Sequence, residues 1–401
     1  MSKKISVGVA LSLVLASITA TFALTMAFSQ SIYNKLISNI SGRAEMYSTI
    51  EDINALIRTN YFYFSSINNE NINYSVSQGY IEGLGDTNSR FMTAGAYINY
   101  NNRLNGNASG VGITTIWDKN KSQLRVSAVA SGSSAAAKGI KTGDILTKIG
   151  GEKVTSKNRE ELTELLSGDT LSTVTVTCMR DKTPLEFNVT VGYSYLSVTQ
   201  KTIGSVGYIR INAFYANTQE QLKEAIAALQ QDNVTAIVFD LRGTSEGTVE
   251  YAAAAIDCIT PVCSSEDEVL ATLVGRDGIA VRSYPSTSNN LNLPMAVLVN
   301  AETAGPAELF ACDLRDFDKA VLVGTTTAGI GTAQEVFTLE DGSAVLLTTS
   351  KILPYKSESF NETGLTPNHE VFLESAETTP ELLELNEDMQ LQKAIAVLSE
   401  E

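Results

Sequence analysis

Between residues 207 and 324 short apolar runs alternate with helix-length stretches, and this alternation restricts the fold more than any other feature of the chain. The runs are GYIRI at 207–211, AIVFDL at 236–241, MAVLV at 295–299 and KAVLVG at 319–324, with helices expected over 218–231, 250–258 and 306–315. Strands that are apolar throughout have no wet face, and strands joined by helices run parallel. The pattern therefore predicts an α/β core built on a largely parallel sheet covered on its faces.

The preceding segment has a different grammar. From Gly110 to Tyr193 short β-type runs (GVGITTIW, QLRVSAVA, STVTVTCMR, PLEFNVTVGYS) are broken by the glycine turns of KTGDILTKIGGEKV and by helical stretches at 133–140 and 157–166. Five or six short strands with two helices predict a compact partial barrel. Upstream, helical patterns at 47–61 and 72–84 and the turn-rich GLGDTNSRFM suggest a small helical module, and the acidic, amphipathic tail from Thr378 suggests a closing helix.

The N-terminus bears on the compartment. Residues 5–28 carry no charge, and at 1.5 Å per residue a helix of that length would reach about 36 Å, enough to cross a bilayer. A cleavable signal has a shorter apolar core and a small-residue cleavage site, so an uncleaved single-pass anchor is expected. Lys3 and Lys4 then stay cytoplasmic and the body lies outside the cytoplasm. The formal net charge of −16 argues against nucleic-acid partners. Cys178, Cys258, Cys263 and Cys312 lack metal-ligand spacing, so no metal or cofactor is expected; they read as buried free thiols, with a Cys258–Cys263 disulfide as the alternative. His369, the one histidine, reads as a solvated loop residue.

GVGI at 110–113 followed by SAVASGSSAAAKGIKTGDILTKIGGEKV at 127–154 resembles a PDZ domain of the circularly permuted bacterial kind. In such domains the G-Φ-G-Φ loop offers backbone N–H groups to a peptide's terminal carboxylate, and the next strand edge accepts the peptide. The resemblance assigns that role to Gly110, Val111, Gly112 and Ile113. A PDZ-like fold kept for packing, its groove blocked, is the alternative. GLGDTNSRFM, GYIRINAF at 207–214, FDLRGTSEG at 239–247, VLVNAETAGPAEL at 297–309, LVGTTTAGIGTAQ at 322–334 and TGLTPNHEV at 363–371 are similar, in order, to motifs of the carboxyl-terminal processing (tail-specific) peptidases. The resemblance spans 83–371 and implies a crotonase-like protease core. The expected organisation is a cytoplasmic stub and anchor over 1–29, a helical module over 30–105, a PDZ domain over 106–195, the protease core over 196–375 and an acidic C-terminal helix over 376–401.

The family's chemistry, as the resemblance implies it, uses a serine nucleophile at the start of a helix and a neutral lysine base. Its nucleophile motif, N-x-x-[ST]-A-S-A-S-E, aligns on Asn300 and Glu308 and puts Gly305 at the serine. Its base motif, G-K-G-x-x-Q, places Ile330 at the lysine and keeps Gln334, which would orient the base. The oxyanion donor after the nucleophile is Pro306, which has no N–H. Of the second donor loop, N-P-G-G, only Gly247 survives in Thr244-Ser245-Glu246-Gly247, and a carboxylate is expected where negative charge would develop. Three lesions in one site predict a catalytically inactive homologue that binds peptide or protein C-termini. Two alternatives remain: a peptidase with relocated chemistry, Thr303 as nucleophile and Lys351 as base, and a structural role in an envelope assembly with the sheet domain as an oligomerisation surface.

Overall fold

The computed structural model describes residues 47–108, 110–118, 121–130, 132–167, 172–261, 269–287, 291–373, 383, 385 and 387–400. The expected anchor at 5–28 lies outside the described residues. Among the described residues no helix is long and apolar enough to cross a membrane. The chain divides into two compact units, 1–75 and 76–401. In the smaller unit a helix covers 47–60 and leaves Tyr47, Ile53 and Leu56 exposed, as is Phe62 beyond it.

Among the described residues of the larger unit the β-structure forms four sheets, three of them large. The first large sheet, wholly antiparallel, follows the order Ile113–Asp118, Gln123–Val129, Ile145–Ile149, Ser172–Arg180, Thr183–Val191, with Glu152–Lys153 beside the third strand. With the short helices Ser134–Lys138 and Arg159–Glu164 it encloses Val126, Ile149, Val176, Cys178 and Val189, none of which reaches solvent. Strands of period two turn one row of side chains inward, which is why glycine turns and alternation foretold this barrel.

The second sheet is the expected parallel one: Val198–Ile203, Val206–Ile211, Ala236–Asp240, Met295–Val299, Ala320–Gly324 and His369–Glu370, antiparallel only in the first pair. One face packs Ile209, Ile211, Ile237, Phe239, Val297 and Leu322 against the helices Thr218–Gln231, Val249–Ile256 and Pro306–Asp316. The other places Val206, Ala236, Val238, Ala296, Leu298 and Val323 under Leu391, Ala394 and Leu398 of the C-terminal helix Met389–Glu400. His369, expected in a solvated loop, is instead half-buried on the edge strand, in register with Val323.

Arg242 fixes the C-terminal helix. Its guanidinium, 1% exposed, contacts Asp240 at the end of a central strand and Asp388 at 2.8 Å, just before the helix, and donates to Gln390 at 3.0 Å. Burial alone would raise the Asp240 carboxyl, but Arg242 and then Arg210 outweigh it and hold the group below its ordinary value.

Of the third sheet only TTSKILPY, at 348–355, reads as a strand in the sequence. Arg90–Met92, Ala344–Pro354, Ala271–Gly275 and Ala280–Tyr284 pair in that order, and Thr332–Thr338 lies along Ala344–Pro354. GLGDTNSRFM, read as a turn, thus ends in a strand pairing Met92 with Ala344.

Candidate functional site

Three loops leave the carboxyl ends of adjacent parallel strands: 241–248, 300–305 and 325–331. Sites in open α/β sheets form at that edge, and Asn300, Gly305, Ile330 and Gly247 all lie in these loops.

The turn after Met295–Val299 is closed from within. The Asn300 N–H donates to the Thr303 hydroxyl at 3.0 Å, and Asn300 Oδ1 accepts the Gly243 N–H at 2.9 Å. Thr303 is fully buried, with its hydroxyl 2.9 Å from the Leu241 carbonyl and 3.2 Å from Asn300 Oδ1. A hydroxyl with its single proton committed to these acceptors braces two loops. Lys351 is exposed on the strand Ala344–Pro354, in register with Thr332 and Val274. The geometry thus gives the Thr303–Lys351 alternative no support.

Gly305 caps the helix Pro306–Asp316 at φ 58°, ψ −114°, a conformation that favours glycine. A Cβ built there would have only the Ile330 carbonyl within 4 Å, at 3.9 Å, so space for a side chain persists next to the base position. Pro306 starts the helix, where a missing N–H costs nothing structurally.

Glu308 joins the two halves of the site, a role that its place in the motif did not disclose. Its side chain is fully buried, and Oε2 accepts the Gly305 N–H at 3.0 Å and the Ile330 N–H at 2.8 Å. Oε1 accepts the Gly329 N–H at 2.7 Å and the Thr327 hydroxyl. One carboxylate with four donors therefore holds the former nucleophile and base positions against each other. Gly331 packs so closely on the 360–364 turn that a Cβ would lie 2.5 Å from the Asn361 nitrogen. Ile330 is half-buried, and Gln334 has turned to other partners: its amide nitrogen lies 3.3 Å from the hydroxyls of Thr332 and Thr348.

In the second donor loop Glu246 directs its carboxylate to the Tyr215 hydroxyl and lies 3.8 Å from Arg103. Burial, then the Glu246 charge, pushes the Tyr215 phenol up. Gly247 forms a bridge with Phe214, and Glu246 O accepts the Phe214 N–H at 2.9 Å.

The G-Φ-G-Φ loop keeps its shape. Gly110 and Gly112 have φ of 68° and 81°, Val111 is 1% exposed, and Ile113 opens the edge strand of its sheet opposite Val129. The expectation that Val111 presents a free N–H is not met: it donates to the Leu166 carbonyl at 3.0 Å.

A cluster outside these loops was missed by the sequence reading. Ligand atoms of Cys312, Asp313 and Asp316 lie within 4.8 Å of one another, the only such group of three among the described residues. Their valences are largely used: Asp316 takes the Ser357 hydroxyl and N–H at 2.7 Å each and the Arg315 guanidinium at 3.3 Å, and Asp313 Oδ1 takes the Tyr355 N–H. Burial pushes the Asp313 carboxyl well up, and its Oδ2 has no hydrogen-bond partner. Cys178, Cys258 and Cys312 are buried free thiols, and Cys263 lies outside the described residues.

A parallel sheet bearing a strand-to-helix turn at Gly305, beside a PDZ barrel, defines an α/β peptidase architecture. Residues 205–371 match the model of Peptidase family S41 and residues 109–191 that of the PDZ domain. The chain is 26% identical over 362 residues to a probable CtpA-like serine protease of Staphylococcus haemolyticus, covering 90% of this chain and 71% of that one. To a probable CtpA-like serine protease of Staphylococcus aureus it is 26% identical over 321 residues, 80% of this chain and 63% of the relative, so it spans less than two thirds of that protein. A putative S41 protease of Bacteroides fragilis superposes with a TM-score of 0.53 at 20% identity, covering 87% of this chain and 97% of that one. The chain belongs to the carboxyl-terminal processing peptidase family, with an S41 peptidase domain and a PDZ domain.

Proposed function

We propose that this chain is a catalytically inactive member of its family that captures peptide or protein C-termini and regulates or scaffolds the proteins that bear them. The observation that carries this reading is the pairing of Gly305 with Ile330: the two positions that should hold nucleophile and base are adjacent, clamped by Glu308, and neither bears a reactive group. A missing oxyanion donor alone costs about 3–4 kcal/mol in the transition state, and Pro306 removes that donor too. The uncharged run at 5–28 behind Lys3 and Lys4 supports an uncleaved single-pass anchor with the body extracytoplasmic.

The test is to equilibrate the full chain with a library of free-carboxylate peptides and their amidated counterparts, then recover the peptides for mass analysis. Saturable binding that amidation abolishes, with every peptide recovered intact, is expected. Binding indifferent to amidation, or no binding at all, contradicts capture of C-termini.

A further inference from the structure

The PDZ groove is already occupied in part by its own chain. The helix Arg159–Glu164 ends in a tight turn in which the Leu166 N–H donates to Thr163 O and the Ser167 N–H to Glu164 O, each at 3.0 Å. This turn aims the Leu166 carbonyl at the G-Φ-G-Φ loop. It accepts the Val111 N–H at 3.0 Å, and a Cβ on Gly110 would lie only 2.8 Å from the same oxygen. Leu162 and Leu166 anchor the turn in the core that also holds Val111. At the other end of the helix the Arg159 guanidinium lies 5.2 Å from the Trp117 ring on the edge strand. The helix therefore touches loop and strand at both ends of the groove.

The next amide is differently placed. Ile113 pairs with Val129, and the bond across that pair runs from the Ala130 N–H to Gly112 O at 2.9 Å. In an antiparallel ladder this makes Ile113–Val129 a pair without mutual bonds, so the Ile113 N–H points to the open edge of the sheet. A terminal carboxylate arriving there meets one outward amide and one amide that already holds an oxygen.

We propose that the Leu166 carbonyl is an internal competitor for the carboxylate-binding loop: a peptide C-terminus gains its full set of amides only by displacing the 165–167 turn. The inference rests on the reading of the chain as a captor of C-termini and adds its regulation. Closure lowers affinity by the competent fraction, so whatever loosens the turn strengthens capture. The segment is suited to such control because Ser167 is exposed and the contact is one neutral hydrogen bond.

The probe is a fluorescein-labelled hexapeptide ending in valine, titrated against the full chain as free acid and as amide. Ser167→Pro drives residue 166 out of the helical region and turns its carbonyl away from Val111; Ser167→Ala leaves the backbone alone. Ser167→Pro is expected to bind the free acid about five- to tenfold more tightly than the wild type, the gain from freeing one neutral bond, with Ser167→Ala unchanged. Hydrogen exchange over 110–113 should quicken in Ser167→Pro without peptide. If Ser167→Pro melts early, Ser167→Gly loosens the same turn without the ring and should shift both readouts in the same direction. Equal affinity in wild type and a folded loosened variant overturns the competitor and leaves capture standing; no binding by either overturns capture and the competitor with it.

Discussion

Two glycine loops of this molecule each close on an oxygen of the chain itself, and they do so with very different commitment. The 329–331 loop closes on the buried Glu308 carboxylate, which takes three backbone N–H groups and a hydroxyl. The 110–112 loop closes on one backbone carbonyl through one N–H. A desolvated carboxylate with four donors cannot leave without stranding all of them, whereas a neutral bond exchanges for an equivalent acceptor at little cost. The difference separates a loop locked into the framework from one that can exchange its partner. The 305 and 330 loops depend on Glu308 for their backbone hydrogen bonds, whatever chemistry the site performs.

The largest expected effect breaks the framework side of the comparison. Glu308→Ala leaves buried donors on Gly305, Gly329 and Ile330 unmatched and should cost about 3 kcal/mol or more in urea unfolding; a loss under about 1 kcal/mol would mean that the clamp is ornamental. Next comes Gly305→Ser, which has room for its Cβ but must hold φ near 58°, so a cost of about 1 kcal/mol is expected. Combined with Ile330→Lys it should still cleave nothing detectable, since Pro306 offers no oxyanion N–H. Turnover by that double variant would show that the donor at 306 is dispensable.

A third prediction concerns Asp313. Its folded carboxyl lies above the unfolded value of about 3.9, so its favourable contribution is complete below that pH and is lost as pH rises toward the folded value. Asp313→Asn does not titrate and keeps an oxygen for the Tyr355 N–H. Its melting temperature should match the wild type near pH 4 and exceed it at pH 7; the opposite pH trend would overturn the upward shift. The smallest effect belongs to Glu246→Gln. Its contact with Arg103 is about half exposed on both sides, so the loss should stay near about 0.5 kcal/mol, and a loss above about 2 kcal/mol would reveal a buried role for the loop.

The parallel sheet and the PDZ barrel were legible because their strands are either apolar throughout or cleanly alternating, while at 305, 306 and 330 the kept motif neighbours show which residues stand there and not what they do. The third sheet, apart from the TTSKILPY strand, was not legible: Ala344–Pro354 pairs with strands distant in sequence, such as Arg90–Met92. Nor could spacing disclose side-chain direction. Glu308 was read as a motif anchor and Glu246 as an obstacle, whereas one bridges two loops and the other turns to Tyr215. The Leu166–Val111 bond is likewise tertiary, joining residues far apart in the chain with no pattern to link them.

On the proposed reading the Gly305–Ile330 centre performs no proteolysis. The direct measurement is prolonged incubation of the full chain with an unfolded protein, with mass spectrometry of every product, beside the Thr303→Ala and Lys351→Ala variants. No cleavage above the background of a protein-free control is predicted for any of the three; cleavage by the wild type that disappears in either variant would contradict the account.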